Sequence, residues 1–237
     1  TESVFAFRAD DGVRHRGWRV PSELTEALRS AFAGIPNLYI ADGHHRSAAA
    51  SRVAASHGGA GAGWFLTVIF PHKQMMILDY NRVVRDLNGK TPETLLAGLV
   101  GRFHVTPVDG ACHPAGPGEF GMYLAGQWYR LQIDPELIPD DPVGRLDVSL
   151  LADNLLEPML GISDPRRDSR IDFVGGIRGL DELERRVDSG GMQVAFSLYP
   201  TGMEDLMAVA DAGEVMPPKS TWFEPKLADG LVSHVLD

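Results

Sequence analysis

Asp42-Gly43-His44-His45-Arg46 is the stretch of this sequence whose residue types and spacing could do chemistry. The apolar run 38–41 before it reads as a buried strand, and the alanine-rich run from His44 to about Ser56 reads as a helix. Between them a glycine lets the backbone turn tightly and lets an anion approach its amides. The first turn of a helix carries unpaired N–H groups and a partial positive charge, a combination that favours an anion. Arg46 falls in that turn and adds a planar fork suited to phosphate oxygens. The chemistry expected is phosphate binding, with Gly43, His44, His45 and Arg46 as the cradle. Asp42, His44 and His45 are the candidates for catalytic roles. Plainer readings stand beside these. Asp42 suits the N-cap of the helix, and adjacent histidines on a helix point apart, so they do not chelate one ion together.

Three further groups carry weaker chemistry. Lys219, Ser220 and Thr221 lie in a proline-rich loop, where a lysine and two hydroxyls suit a phosphate or small polar substrate. They suit equally a turn whose hydroxyls cap neighbouring backbone. Asn81, Arg82 and Asp86 could bring a cation and a carboxylate near the helix start, or form a surface ion pair. Gly175-Gly176 ends a strand or lets a ligand approach closely. No metal site is expected, because no second Asp/His cluster with ligand spacing follows the first. The one cysteine, Cys112, allows neither an internal disulfide nor a thiolate zinc site and reads as incidental.

The elements that must position these residues mix irregularly. Strands are expected at 3–8 and 12–20, then a helix from Pro21-Ser22 to Phe32 with Leu24, Ala27, Leu28, Ala31 and Phe32 on one face. The runs 64–70 and 74–80 read as an antiparallel pair. Thr91-Pro92 opens a helix ending near Phe103, and 107–118 reads as a surface loop. A hairpin is expected over 120–124 and 128–133, a helix over 146–160, a strand over 171–174, a helix over 180–187 and a strand over 193–198. A capping box at Thr201–Glu204 starts another helix, and the proline-rich 216–231 leads to a last strand. No internal repeat is present. The fold class expected is α/β (α+β mixed) with a mixed sheet, a single composite domain over 1–237.

Composition narrows the function classes. The chain has 237 residues and a formal charge of −10, and its basic stretches are interleaved with acids, so no nucleic-acid groove is expected. Its apolar runs are far shorter than a membrane span. No leader-like segment opens it, so nothing suggests export and a cytoplasmic protein is expected.

Four separated stretches resemble the bacterial and archaeal domain of unknown function 1015 family: Y-I-A-D-G-H-H-R at 39–46, L-D-Y-N-R-V-V-R-D-L-N-G at 78–89, F-V-G-G at 173–176 and M-P-P-K-S-T-W-F-E-P-K-L at 216–227. Family members are usually longer, so the resemblance implies that this chain is the C-terminal portion of one. The D-G-H-H-R-x-x-A core is similar to the ParB/sulfiredoxin-like superfamily, which implies a core of that fold with a C-terminal α/β extension. His44 stands where sulfiredoxins carry their cysteine, and Gly43-His44-His45-Arg46 replaces the G-E-R-R of ParB partition proteins. The D-G-H-x-R of ADP-dependent free serine kinases is matched by Asp42, Gly43, His44 and Arg46. That resemblance implies a phosphotransferase using ADP or ATP, with Mg2+, on a small serine-like hydroxyl compound. It also implies a base glutamate in a segment before Thr1. A non-catalytic nucleotide-binding module and a metal-assisted phosphohydrolase are the alternatives. The sequence sets no oligomeric state.

Overall fold

The computed structural model describes residues 2–236, and the chain divides into two compact units, Thr1–Ile40 and Ala41–Asp237. In the smaller unit, β1 (Phe5–Arg8) and β2 (Arg14–Gly17) form an antiparallel hairpin. Its turn is closed by Asp11 Oδ1, which accepts the Val13 N–H at 2.9 Å. Gly17 lies opposite Phe5, and a Cβ there would strike the Phe5 ring. The helix α1 (Ser22–Ala33) forms as its apolar spacing predicts. That face is not buried, however: Leu24, Leu28 and Phe32 are all exposed.

The larger unit opens with α2 (His44–Ser56), at the bounds its sequence predicts. It is built on a six-stranded sheet of order β5-β7-β6-β9-β4-β8, comprising β4 (Tyr80–Val84), β5 (Phe103–Val108), β6 (Glu119–Leu124), β7 (Gln127–Ile133), β8 (Ile171–Gly175) and β9 (Val194–Leu198). Every ladder in it is antiparallel, so the expected mixed sheet is corrected to a wholly antiparallel one. The α+β class stands. Because successive strand residues face opposite ways, each central strand feeds two cores. Val84, Met122, Leu124, Val194 and Phe196 pack on one face beneath α3 (Pro92–Gly98) and the helical stretch from α4 (Asp147–Leu151) to α5 (Glu157–Leu160). Val83, Tyr123 and Ala195 pack on the other with Leu183 and Val187 of α6 (Asp181–Asp188). Three polar links pin α6 to the sheet: Trp128 Nε1 donates to Glu184 at 2.6 Å, the Tyr123 hydroxyl donates to Asp188 at 3.0 Å, and Arg186 donates to Asp172 at 2.6 Å.

Between α4 and α5 the helix widens into a π-turn, Ala152–Leu156. Pro158 follows it and cannot donate to the carbonyl four residues back, which disrupts the regular ladder there. The widened turn is stabilised by Asn154, which donates to the Leu150 carbonyl and accepts from Arg102 at 3.1 Å.

Several expected elements are corrected. Residues 38–41 join no sheet, and Leu38, Tyr39 and Ile40 are exposed, because no neighbouring strand covers them within the described residues. Residues 64–70 are not a strand either. What was expected as one strand over 74–80 breaks at Asp79 into β3 (Met76–Leu78) and β4, which enter different sheets. The partner of β3 is β10 (Trp222–Glu224), in the middle of the proline-rich segment rather than after it. The helix opened by Thr91 stops at Gly98 and its expected last residue, Phe103, begins β5, which runs on through Pro107 and Val108. The helix α7 (Met203–Asp211) starts one residue later than its box suggests, with Asp205 accepting the Gly202 N–H at 3.1 Å.

Candidate functional site

Gly43 is the N-cap of α2, at φ +89°, the left-handed conformation that glycine adopts without strain. No side chain caps this helix start. Asp42 is not its N-cap: Oδ1 accepts the Gly43 N–H at 2.7 Å, so the carboxylate braces the turn instead of satisfying the first helical amides. The Arg46 side chain folds back over the turn. A Cβ at Gly43 would lie 3.3 Å from Arg46 Nε and Nη2. His44, His45 and Arg46 are exposed, and none of their side chains has a hydrogen-bond or ion-pair partner among the described residues. The result is a patch of uncommitted donors on a helix that carries no acid in its first turn.

The second cation at this turn is one that the sequence did not single out. Lys226 places Nζ 3.6 Å from Asp42 Oδ2 and 5.5 Å from the centre of the Trp222 ring. It arrives there because β10 pairs with β3, and the chain then turns through Glu224, whose carboxylate accepts from Trp222 Nε1 at 2.8 Å and from the Lys226 N–H at 3.0 Å. Both groups of the Lys226–Asp42 pair remain half exposed or more, so their attraction is weak and readily exchanged for a stronger anion.

Lys219 and Ser220, two of the three loop residues singled out in the sequence, make contacts within the protein. Lys219 Nζ lies over the Tyr80 ring at 5.5 Å. Ser220 is buried and its hydroxyl donates to the Pro217 carbonyl, while its own carbonyl accepts from Thr201 at 3.0 Å. Ser220 thus follows the turn-capping reading.

Beneath this segment lies Arg82, which is buried rather than part of a surface pair. Its guanidinium donates to the carbonyls of Tyr80 and Lys219, the latter at 3.0 Å, and lies over the Phe173 ring at 5.3 Å. Burial pushes its pKa down to about 10, so it remains a cation at neutral pH. Asn81, also buried, accepts the Leu198 N–H at 3.0 Å and donates to Asp79. Asp86 is drawn away to Arg170, at 3.4 Å.

The glycine pair has a packing role that any side chain would spoil. A Cβ on Gly175 would clash with the Trp222 ring, and one on Gly176 with the Asp79 carboxylate. The stretches 78–82, 173–176, 219–226 and 42–46 are thereby linked by direct contacts. Cys112 is buried, its carbonyl accepting from Ser197 at 2.6 Å, and burial raises the thiol pKa.

These features define an α+β chain with an uncapped, cation-bearing helix start joined to its C-terminal segment. The chain belongs to the family described as "Protein of unknown function (DUF1015)", which matches residues 1–149. No curated protein matches it. Among solved structures it is similar to a free serine kinase in complex with AMP, at 16% identity and TM-score 0.44, over 86% of this chain and 81% of that one. A mutant of a free serine kinase in complex with ADP gives 18% and 0.42 over 86% and 81%. A conserved hypothetical protein from Pyrococcus furiosus gives 18% and 0.43 over 85% and 82%.

Proposed function

We propose that the start of α2 binds the phosphates of a nucleotide, ADP or ATP, and that the chain is part of a phosphotransferase acting on a small, serine-like hydroxyl compound. The observation that carries this reading is the Arg46 guanidinium folded over the left-handed Gly43 turn of an uncapped helix, with Lys226 beside it. Two cations and the amides of the first turn form a donor set matched to a phosphate chain. In this reading Gly43, His44, His45 and Arg46 hold the nucleotide, with Lys226 in place of Lys219, Ser220 and Thr221. His44 or His45 stabilises charge on the transferred group, and Asp42 orients the acceptor hydroxyl.

Among the described residues no three His, Cys, Asp or Glu gather as a metal site. Magnesium would therefore be held largely by the phosphates themselves, with Asp42 the carboxylate placed to meet it. A phosphohydrolase built on several protein ligands finds no such group among these residues. A binding module without turnover is the second reading. It is favoured by Asp42 being engaged with the Gly43 amide and Lys226.

Calorimetric titration with ADP, ATP and AMP plus magnesium tests the site, and a serine-dependent phosphate-transfer assay then separates the two readings. Saturable binding abolished by loss of Arg46 is the expected result. Binding unaffected by loss of both Arg46 and Lys226 would overturn the proposal.

A further inference from the structure

A cleft in the larger unit shares no residue with the α2 start. It encloses about 140 Å³ where the 117–118 loop, the start of α4 and the 199–205 turn meet. Gly118, Arg145, Asp147, Tyr199, Thr201 and Asp205 are among its walls. These walls bring two carboxylates together, with the Tyr199 hydroxyl and Arg145 at their side. Asp147 is 9% exposed; its Oδ1 accepts the Gly118 N–H at 2.7 Å, and its Oδ2 is buried without a hydrogen-bond partner. Asp205 adds a second carboxylate, of which Oδ2 is occupied by the Gly202 N–H. The Thr201 hydroxyl donates its one hydrogen bond to the Ser220 carbonyl, so toward a ligand it can only accept. Pro200 has no N–H to offer. Arg145 is the one cation in the lining, and it is exposed.

A buried carboxylate oxygen without a donor is costly, and no protein donor reaches this one. The link from Asp147 to Gly118 explains one oxygen, since it ties the start of α4 to the tight turn before β6. It leaves the other unexplained. We propose that this cleft binds a small ligand carrying a primary ammonium group, whose N–H donors and charge complement the Asp147–Asp205 wall. The volume matches that of a cavity of about 150 Å³ that holds a benzene-sized molecule, so the ligand has roughly six heavy atoms. The proposal is independent of the nucleotide reading. Burial, with Asp205 adding to it, raises the Asp147 carboxyl to about 7. That is the state of an acid short of a cation, against the opposing pull of the Gly118 N–H.

The test uses the full chain and ethylammonium chloride as probe, with ethanol and sodium chloride at equal concentration as controls. Amide resonances of Gly118, Thr201 and Gly202 should shift saturably in the millimolar range with the ammonium compound alone. Asp147→Asn keeps an acceptor for the Gly118 N–H and removes the charge, and should weaken binding at least tenfold. Asp205→Asn keeps the acceptor for Gly202 and should weaken it severalfold, which decides the matter if the first variant does not fold. Binding should also weaken as pH falls through about 7, where Asp147 takes up a proton in competition with the ligand. Shifts reproduced by sodium chloride or ethanol, or unchanged affinity in the variants that fold, would overturn the proposal.

Discussion

Lys226 Nζ and Asp42 Oδ2 stand 3.6 Å apart, joining residues far separated in sequence at the turn that opens α2. The pair is exposed, so it contributes little to stability, typically ~0–1 kcal/mol. Its value lies in where it holds the lysine. Lys226→Ala should leave thermal stability nearly unchanged and weaken nucleotide binding, and the loss should shrink as salt is raised. Titrations of parent and variant at two ionic strengths check this; equal affinities at low salt would remove Lys226 from the site.

Arg46 is exposed and has no partner among the described residues, so its removal should not affect folding. Arg46→Ala should cost about 1.5–3 kcal/mol of nucleotide binding, the range for a hydrogen bond to a charged group. Calorimetry and thermal denaturation of the same samples separate the two effects. A variant that loses stability but not affinity would make Arg46 structural.

Gly43 tests the turn itself. At φ +89° any side chain is strained, and its Cβ would press on Arg46 at 3.3 Å. Gly43→Ala should destabilise by roughly 1 kcal/mol and displace the guanidinium, so affinity and stability fall together. Denaturant titration alongside binding measures both.

Arg82 ties β4 to the 219–226 segment through the Lys219 carbonyl. Arg82→Met removes the donor that the Tyr80 and Lys219 carbonyls share and leaves a cavity at a buried position, a cost of about 1–3 kcal/mol. Hydrogen exchange should quicken selectively across 219–226, and nucleotide affinity should fall because Lys226 is no longer held in place. Unchanged exchange in that segment would show that Arg82 does not anchor it.

Asp147 sets a pH dependence whose sign can be stated. Its carboxyl is raised from 3.8 to about 7 in the folded chain, chiefly by burial. Between those values the folded chain holds a proton that the unfolded chain has lost. Stability from this group therefore declines as pH rises from about 4 to 7, by on the order of 2–4 kcal/mol. Asp147→Asn should flatten that part of the stability profile, measured by denaturant unfolding at successive pH values. An unaltered slope would place the titration elsewhere.

The local sequence by itself determined the helix at 44–56 and its glycine turn, because the Asp-Gly start and the alanine run act within a few residues of each other. It also determined, to within a residue, the strand expected over 128–133 and the helix expected over 180–187. Tertiary structure decided what no local pattern encodes. An apolar run such as 64–70 is a strand only if a partner lies alongside it, and in the described residues none does. Met76–Leu78 and Tyr80–Val84 look continuous in sequence, yet they pair with different partners because Trp222–Glu224 takes the first and β8 and β9 the second. The surroundings of the two C-terminal lysines were decided the same way. Lys219 and Lys226 both lie near hydroxyls, rings and prolines in sequence, and their surroundings do not distinguish them. Only the β3–β10 register carries Lys226 to Asp42 while Lys219 remains over Tyr80. Strand pairing is a choice among distant segments, and it is made by the whole core at once.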